Sequence, residues 1–326
     1  MIPLYPHSGF KFWDEIETKF SFLDSARSAL FLIAQEYEEF VFLIPSYTCP
    51  TVWSALEQAN VNYDFVDLDN TLDFNINDLN YMLRKYNNNK IVIVTTSLFG
   101  AKIKNYKKLY PECIIVEDRA QGRIDFSNDA DFQIISFGKG KMISGFSGGA
   151  LYDKHEVLTN ILGNIGKKND FLISYFLSVI QKIISRMWFI FEGTSFDPEV
   201  SEKLHIDKIE PQLLCELKIK WILNTINDTD FYHRINISNY YLKNINKKYL
   251  FDIEKNTPYL RVPIKKNLSY SGVSKIKDFY ETFLKANAKR EKEQLGAKIL
   301  IDGSYLPTHN LVTFEYAKKI VSLINE

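Results

Sequence analysis

The feature that most constrains this chain is an alternation that fills its first 140 residues or so. Five short apolar runs stand apart from one another: "FVFLIP" (40–45), "YDFVDLD" (63–69), "KIVIVTTSLFG" (90–100), "CIIVED" (113–118) and "FQIISFG" (132–138). They are rich in β-branched and aromatic residues and are continuous rather than alternating, as strands buried on both faces of a parallel sheet tend to be. Between them, "SARSALFLIAQEYEEF" (25–40), "CPTVWSALEQAN" (49–60) and "NINDLNYMLRKY" (75–86) read as helices, the last capped by Asn75 or Asn77. Strand–helix alternation of this kind predicts an α/β domain with helices on both sheet faces.

The character changes after about residue 155. A long helical region is expected to about 192, then a Gly/Pro/Asp loop at "EGTSFDPE", then a helix over 208–227. From about 230 the chain reads as a smaller α+β unit. "YLRVPI" (259–264) is its expected strand, "SGVSKIKDFYETFLKAN" (271–287) a helix and "VTFEYAKKIVSLINE" (312–326) the closing helix. The expected division is a large α/β domain over 1–229, including the helical segment 155–195, and a small C-terminal α+β domain over 230–326. The uncharged "FLISYFLSVIQ" (171–181) is followed by Lys182 and Arg186 before "MWFIF". A spanning helix needs about 20 apolar residues, so a buried or interface helix is expected. Peripheral membrane contact through 171–191 is the alternative.

Lys+Arg and Asp+Glu both number 40. That balance argues against a nucleic-acid partner and leaves room for a local basic pocket. Cys49, Cys113 and Cys215 are far apart and lack metal-ligand spacing, which fits a reduced chain with no metal site. The start, "MIPLYPHSGFKFWDE", has no apolar core behind a basic stretch and does not read as a signal peptide. A cytoplasmic location is expected.

Four stretches carry possible chemistry. In "VEDRAQG", Asp118 ends a predicted parallel strand, where ligands of open α/β sheets bind; a turn or capping aspartate would look the same. "SFGKGKMISGFSGGAL" (136–151) spends five of the chain's 14 glycines around Lys139 and Lys141. Glycines let backbone approach a ligand closely. A lysine there could clamp a phosphate, act as a nucleophilic amine, or sit in a solvated turn. "LDSARSALFL" (23–32) opens a helix with small polar residues, as an anion site or an ordinary N-cap would. "IPSYTCPTVWSAL" (44–56) runs a strand into a helix with Tyr47, Thr48 and Cys49 at the junction.

The order and spacing of these features resemble the DegT/DnrJ/EryC1/StrS sugar aminotransferases, enzymes of fold type I that use pyridoxal 5'-phosphate (PLP). The resemblance runs over nearly the whole chain. "IPSYTCPTVWSALEQANVNYDFVDLD", "TTSLFG" and "YLPTHNLVTFEYAKKI" carry it, and residues 113–152 carry the most specific part. It implies a large, mostly parallel α/β/α sheet domain with a smaller C-terminal α+β domain. Lys141, rather than Lys139, falls where the family places its Schiff-base lysine. Ser136 falls where a serine holds the cofactor phosphate, Asp118 where a carboxylate faces the pyridine nitrogen, and Gln121 where a His or Gln lies near the ring hydroxyl. Arg27 and Ser28 fall at the helix start that cradles the phosphate, and Cys49 where a side chain, often aromatic, stacks on the ring.

The activity implied is transfer of an amino group from an amino-acid donor, glutamate by resemblance, to a nucleotide-linked keto-sugar for a surface glycan. A homodimer is implied too. The sequence departs from the family in two places. An Asn-aromatic-Arg motif that reaches the partner's site is absent from "LHIDKIEPQ" (204–212), where His205 and Asp207 stand instead. Cys49 replaces an aromatic stacker, for which Tyr47 could compensate. The alternative is a non-catalytic homologue that binds PLP or a nucleotide sugar. A third reading, dehydration, is opposed by Lys141, since dehydrating relatives typically lack the lysine.

Overall fold

In the computed structural model the described residues are 19–86, 90–123, 129–138, 140–143, 147–168, 176, 180, 207–224, 228–270, 272–276 and 279–326. Among them the five apolar runs become neighbouring strands of one sheet. β1 (Phe20–Leu23), β2 (Val41–Pro45), β3 (Asn62–Val66), β4 (Ile91–Thr96), β5 (Ile114–Asp118), β6 (Phe132–Ser136), β7 (Gly149–Asp153), β8 (Lys167–Lys168) and β9 (Leu213–Leu214) lie in the order β3-β2-β4-β5-β6-β7-β1-β9-β8. From β3 to β6 every pairing is parallel; β7 runs antiparallel to both β6 and β1.

Side-chain alternation sorts the sheet into two faces. Phe42, Ile44, Val92, Val94 and Val116 point to the layer of α1 (Ala26–Glu36) and α2 (Pro50–Gln58). Leu43, Ile91, Ile93 and Ile115 point to the layer of α3 (Ile76–Tyr86) and α4 (Tyr106–Leu109). Both faces are dry, which is why these strands read as unbroken apolar runs. Asn75, not Asn77, caps α3: its Oδ1 accepts from Asp78 N at 3.3 Å.

The described part of 155–195 differs from the long helix expected there. α5 (Thr159–Gly163) is short, and Lys167–Lys168 forms an edge strand beside β9. Gly163 and Gly166 break the apolar period. In the apolar segment 171–191 only Phe176 and Ile180 are described, and both are exposed. No helix among the described residues is long and apolar enough to cross a membrane. The helix expected over 208–227 begins later, as α6 (Glu216–Asn224), because 207–212 is drawn along other elements. Gln58 takes Ile209 N at 2.8 Å, and Asp24 N donates to Gln212 O at 2.8 Å.

Beyond this, α7 (Asp228–Asn244), β10 (Arg261–Ile264), β11 (Ser274–Lys275), α8 (Tyr280–Arg290), α9 (Leu295–Ile301), β12 (Ser304–Pro307) and α10 (Phe314–Asn325) follow. The three strands form a second, antiparallel sheet in the order β10-β12-β11. The helix expected over 271–287 gives up its first part to β11, where Gly272 (φ +80°) turns the chain. This second core is continuous with the loops at the carboxyl ends of the parallel strands. Tyr47, Leu68, Leu98 and Phe99 are buried in one cluster with Ile237, Val262, Leu306 and Ile320. The seam between the two sheets therefore lies where an open α/β sheet binds its ligands.

Candidate active site

Asp118 is the last residue of β5 and is buried. Its Oδ1 accepts from Ala120 N at 2.9 Å. Burial pushes its carboxyl above the ordinary range, against the Ala120 N–H and the charge of Lys141, which both pull it down. Cys49, the residue before α2, has its thiol pushed up by burial, while Lys141 opposes and Asp118 reinforces that shift. Lys141, Asp118 and Cys49, separated by up to 92 residues of sequence (141 − 49), thus share one electrostatic neighbourhood.

Lys141 sits in a turn after β6: its N–H donates to Gly138 O at 3.3 Å. Ser136 Oγ accepts from Gly138 N at 3.3 Å. A Cβ on Gly138 would stand 3.4 Å from Ser136 Oγ and 3.9 Å from Lys141 Cγ, so that glycine keeps the hydroxyl and the lysine stem close together. On the far side, Ser136 pairs with Gly149 of β7, and Gly148 bridges Ser25. A Cβ on Gly149 would lie only 2.5 Å from the Ser25 carbonyl carbon. Here the Gly-Gly pair is needed: it lets β7 meet the start of α1.

At that start, Ser25 is the N-cap. Its Oγ accepts from Ser28 N at 3.1 Å and lies 2.8 Å from Ser28 Oγ. Ser28 is buried and spends both groups on the cap, which leaves the Ala26 and Arg27 N–H groups as helix-start donors. Arg27 is half-buried, in the first turn of α1 after Ser25 and Ala26.

Gln121 is buried just past β5, and its Oε1 accepts from Phe99 N at 2.9 Å. That bond fixes the amide orientation and leaves Nε2 as the remaining donor. Phe99 has φ +55° and Gly100 φ +91°. Met142, next to Lys141, fills the space a Gly100 side chain would need: its Cε is 3.0 Å from where the Cβ would be. Sequence reading marked "TTSLFG" only as a likeness; its tight turn is what holds Gln121 and the lysine loop in place.

No family model matches the sequence, and no curated protein does. Solved structures do. A sugar aminotransferase from Micromonospora echinospora superposes with a TM-score of 0.67 at 13% identity, over 98% of this chain and 92% of its own. A DegT DnrJ EryC1 StrS aminotransferase from Brucella abortus gives 0.63 at 15% identity, over 98% and 90%. The chain has the fold of these aminotransferases. A GDP-4-keto-6-deoxymannose-3-dehydratase with bound GDP-perosamine also shares it, with a TM-score of 0.62 at 14% identity over 98% of both chains. The mostly parallel sheet and second unit expected from the resemblance are therefore present.

One expectation needs correcting. Tyr47 does not compensate for Cys49: it is fully buried between Phe99 and Phe279, with ring centroids at 6.4 and 5.1 Å, and has no face to offer. Asp207 is exposed and engaged through its carbonyl by Gln58 Nε2 at 3.2 Å, on the flank of α2. His205 and Lys139 lie outside the described residues. Sequence reading also missed Lys218. Fully buried on α6, its Nζ lies 2.7 Å from Ser147 Oγ in the glycine-rich stretch. The one signal was its place between Leu214 and Ile222, at i±4 on an apolar stripe.

Proposed function

We infer that this protein is a PLP-dependent aminotransferase that moves an amino group from an amino-acid donor, glutamate in the simplest case, to a nucleotide-linked keto-sugar. The observation that carries the reading is the convergence of half-buried Lys141 and Cys49 on buried Asp118, joined through Ser136 and Gly149 to the start of α1. The shared fold with sugar aminotransferases supports it, as does a relative of the same fold that holds a nucleotide sugar. Residues 1–229 would hold the cofactor and 230–326 form the smaller unit. A cytoplasmic homodimer making amino sugars for a surface glycan belongs to the same reading.

The residues fit the cofactor. Glycines stand where side chains would fill the space between Ser136, Lys141 and α1. Helix-start N–H groups and the Ser136 hydroxyl suit its phosphate, and a carboxylate deprived of water suits its protonated ring nitrogen. Bound there, PLP supplies an electron sink for the charge left when an amino acid loses its α proton.

The chain's own residues do the rest. The Lys141 amine would hold the cofactor, and with its amine free it would take up and return the proton at the substrate α carbon. Asp118 keeps a positive charge favourable at the ring nitrogen. Gln121, with Oε1 committed to Phe99, presents an N–H donor. Cys49 packs with less area than an aromatic ring would. Lys141→Ala tests the reading: the purified wild type mixed with PLP develops a visible absorbance band that glutamate removes, and the variant develops none. An unchanged band in the variant would refute the role of Lys141.

A further inference from the structure

One hydroxyl of the second unit reaches the residue next to Cys49. Thr282 lies on α8 and is fully buried, as is Thr48. Trp53 Nε1, on α2, donates to Thr282 Oγ1 at 3.0 Å. Thr282 Oγ1 in turn donates to Thr48 O at 2.7 Å, across 234 residues of sequence. An indole N–H can only donate, so the Thr282 hydroxyl must accept from it and has its own proton left for the Thr48 carbonyl. Valine has nearly the shape of threonine and would fill the same space. It would leave two buried polar groups unmet.

Other contacts hold the same junction. Phe279, just before α8, packs on Tyr47 at a centroid distance of 5.1 Å. Lys285, one turn after Thr282, lies 3.9 Å from the Trp53 ring centroid and 2.7 Å from Glu57 Oε1. Thr48 Oγ1 is 3.5 Å from Thr96 Oγ1, and Thr96 pairs in register with Asp118 across β4 and β5. Cys49 occupies the N-cap position of α2, but its side chain makes no capping bond. The entry into α2 is therefore held from outside, at Thr48, by a side chain of the second unit.

We propose that Thr282 is a positioning residue: it fixes the Thr48–Cys49 junction, and through it the place of Cys49 beside Asp118 and the fit of the cofactor ring. The ring's part in this rests on the transaminase reading. The link from Thr282 to Cys49 rests on the hydrogen bonds alone.

The test compares wild type, Thr282→Val and Thr282→Ser. In the ligand-free chain, iodoacetamide is added and the rate at each cysteine is followed by mass spectrometry. Thr282→Val should speed alkylation of Cys49 by about tenfold, while Cys113, fully buried in the opposite layer, keeps its wild-type rate. Fluorescence titration should show affinity for PLP and for pyridoxal falling together, since the ring is common to both. Thr282→Ser keeps the hydroxyl and should restore both readings. A wild-type rate at Cys49 in Thr282→Val overturns the proposal. So does equal acceleration at Cys49 and Cys113, which marks general loosening, and so does unchanged affinity for both ligands beside a faster Cys49. Should Thr282→Val fail to fold, Trp53→Phe, which removes only the indole donor, makes the same comparison. A wild type that takes up neither ligand refutes the transaminase reading, whereas the alkylation rates judge the Thr282 link by themselves.

Discussion

Gly149→Ala probes the join on which the proposed cofactor cradle depends. The new Cβ would overlap Ala26 N and stand 2.5 Å from the Ser25 carbonyl carbon and 2.8 Å from Ala26 Cα, where ordinary contact begins at 3.4 Å. Backbone must therefore move by about 1 Å in a close-packed interior. The strand cannot yield, because Gly149 pairs with Leu23 on one side and Ser136 on the other. The start of α1 moves instead, away from Ser136. Overpacking of this kind costs about 1–3 kcal/mol, which lowers Tm by roughly 2–10 °C in a chain of this size. The second effect is specific. Affinity for PLP falls, while affinity for pyridoxal, which lacks the phosphate, changes much less. Gly163→Ala is the control. It lies exposed at the end of α5 with nothing within 4 Å, so it leaves both readings unchanged or raises stability slightly. Thermal unfolding and fluorescence titration with both ligands decide the matter. A Gly149→Ala protein that loses stability but binds PLP as well as wild type would refute the placement of the phosphate at α1.

Asp118→Asn keeps an acceptor for Ala120 N and removes the charge. Burial raises the Asp118 carboxyl above its ordinary 3.8, so its folded-state contribution is present below that value and is lost as pH rises through the folded one. The ligand-free variant should therefore gain Tm over wild type as pH rises; a constant difference across pH argues against the burial account. Cys49→Tyr restores ring area at the stacking position and should tighten PLP binding roughly two- to tenfold in a fluorescence titration; equal or weaker binding would show that the thiol does not lie against the ring. Arg290→Ala breaks a buried pair with Asp78, with Nη2 to Oδ1 at 2.8 Å, and a bond to Phe65 O that pins α8 to β3. Urea unfolding should show a loss of about 3–5 kcal/mol, and a loss below about 1 kcal/mol would mean that α8 is held by packing instead.

How much of this was legible follows from where the determining forces act. β2, β4, β5 and β6 were readable because both their faces are dry and short range decides them. Asp118 and Ser136 could be placed at strand ends, with Gln121 and Lys141 a few residues beyond, because the strands themselves were readable; the roles proposed for them came from the resemblance. β1 and β7 were not: "FSFL" and "GALYD" are too short to show a period, and their pairing with one another is fixed by contacts across more than 120 residues (149 − 23). Ser274 and Lys275 looked helical because their side chains suit either state; β12 claimed them.

The same distinction explains why the glycines matter more to this site than the polar residues do. Asp118, Ser136 and Lys141 are supplied by strand ends that the sheet would place there in any case. What lets the segments that carry them approach one another is the absence of side chains at points of close contact: Gly149 against Ser25, Gly100 against Met142 and Leu260, Gly122 against Ser97. At Gly122 a Cβ would stand 2.8 Å from Ser97 Cβ, so β4 and β5 could not both hand their chains into the seam at this spacing. Gly100 does the same between the lysine loop and β10. The lysine therefore depends for its position on the second sheet as well as the first. A substitution at Gly100 should accordingly disturb the lysine loop and the approach to β10 at Pro258 and Leu260 together, which no single strand end could do.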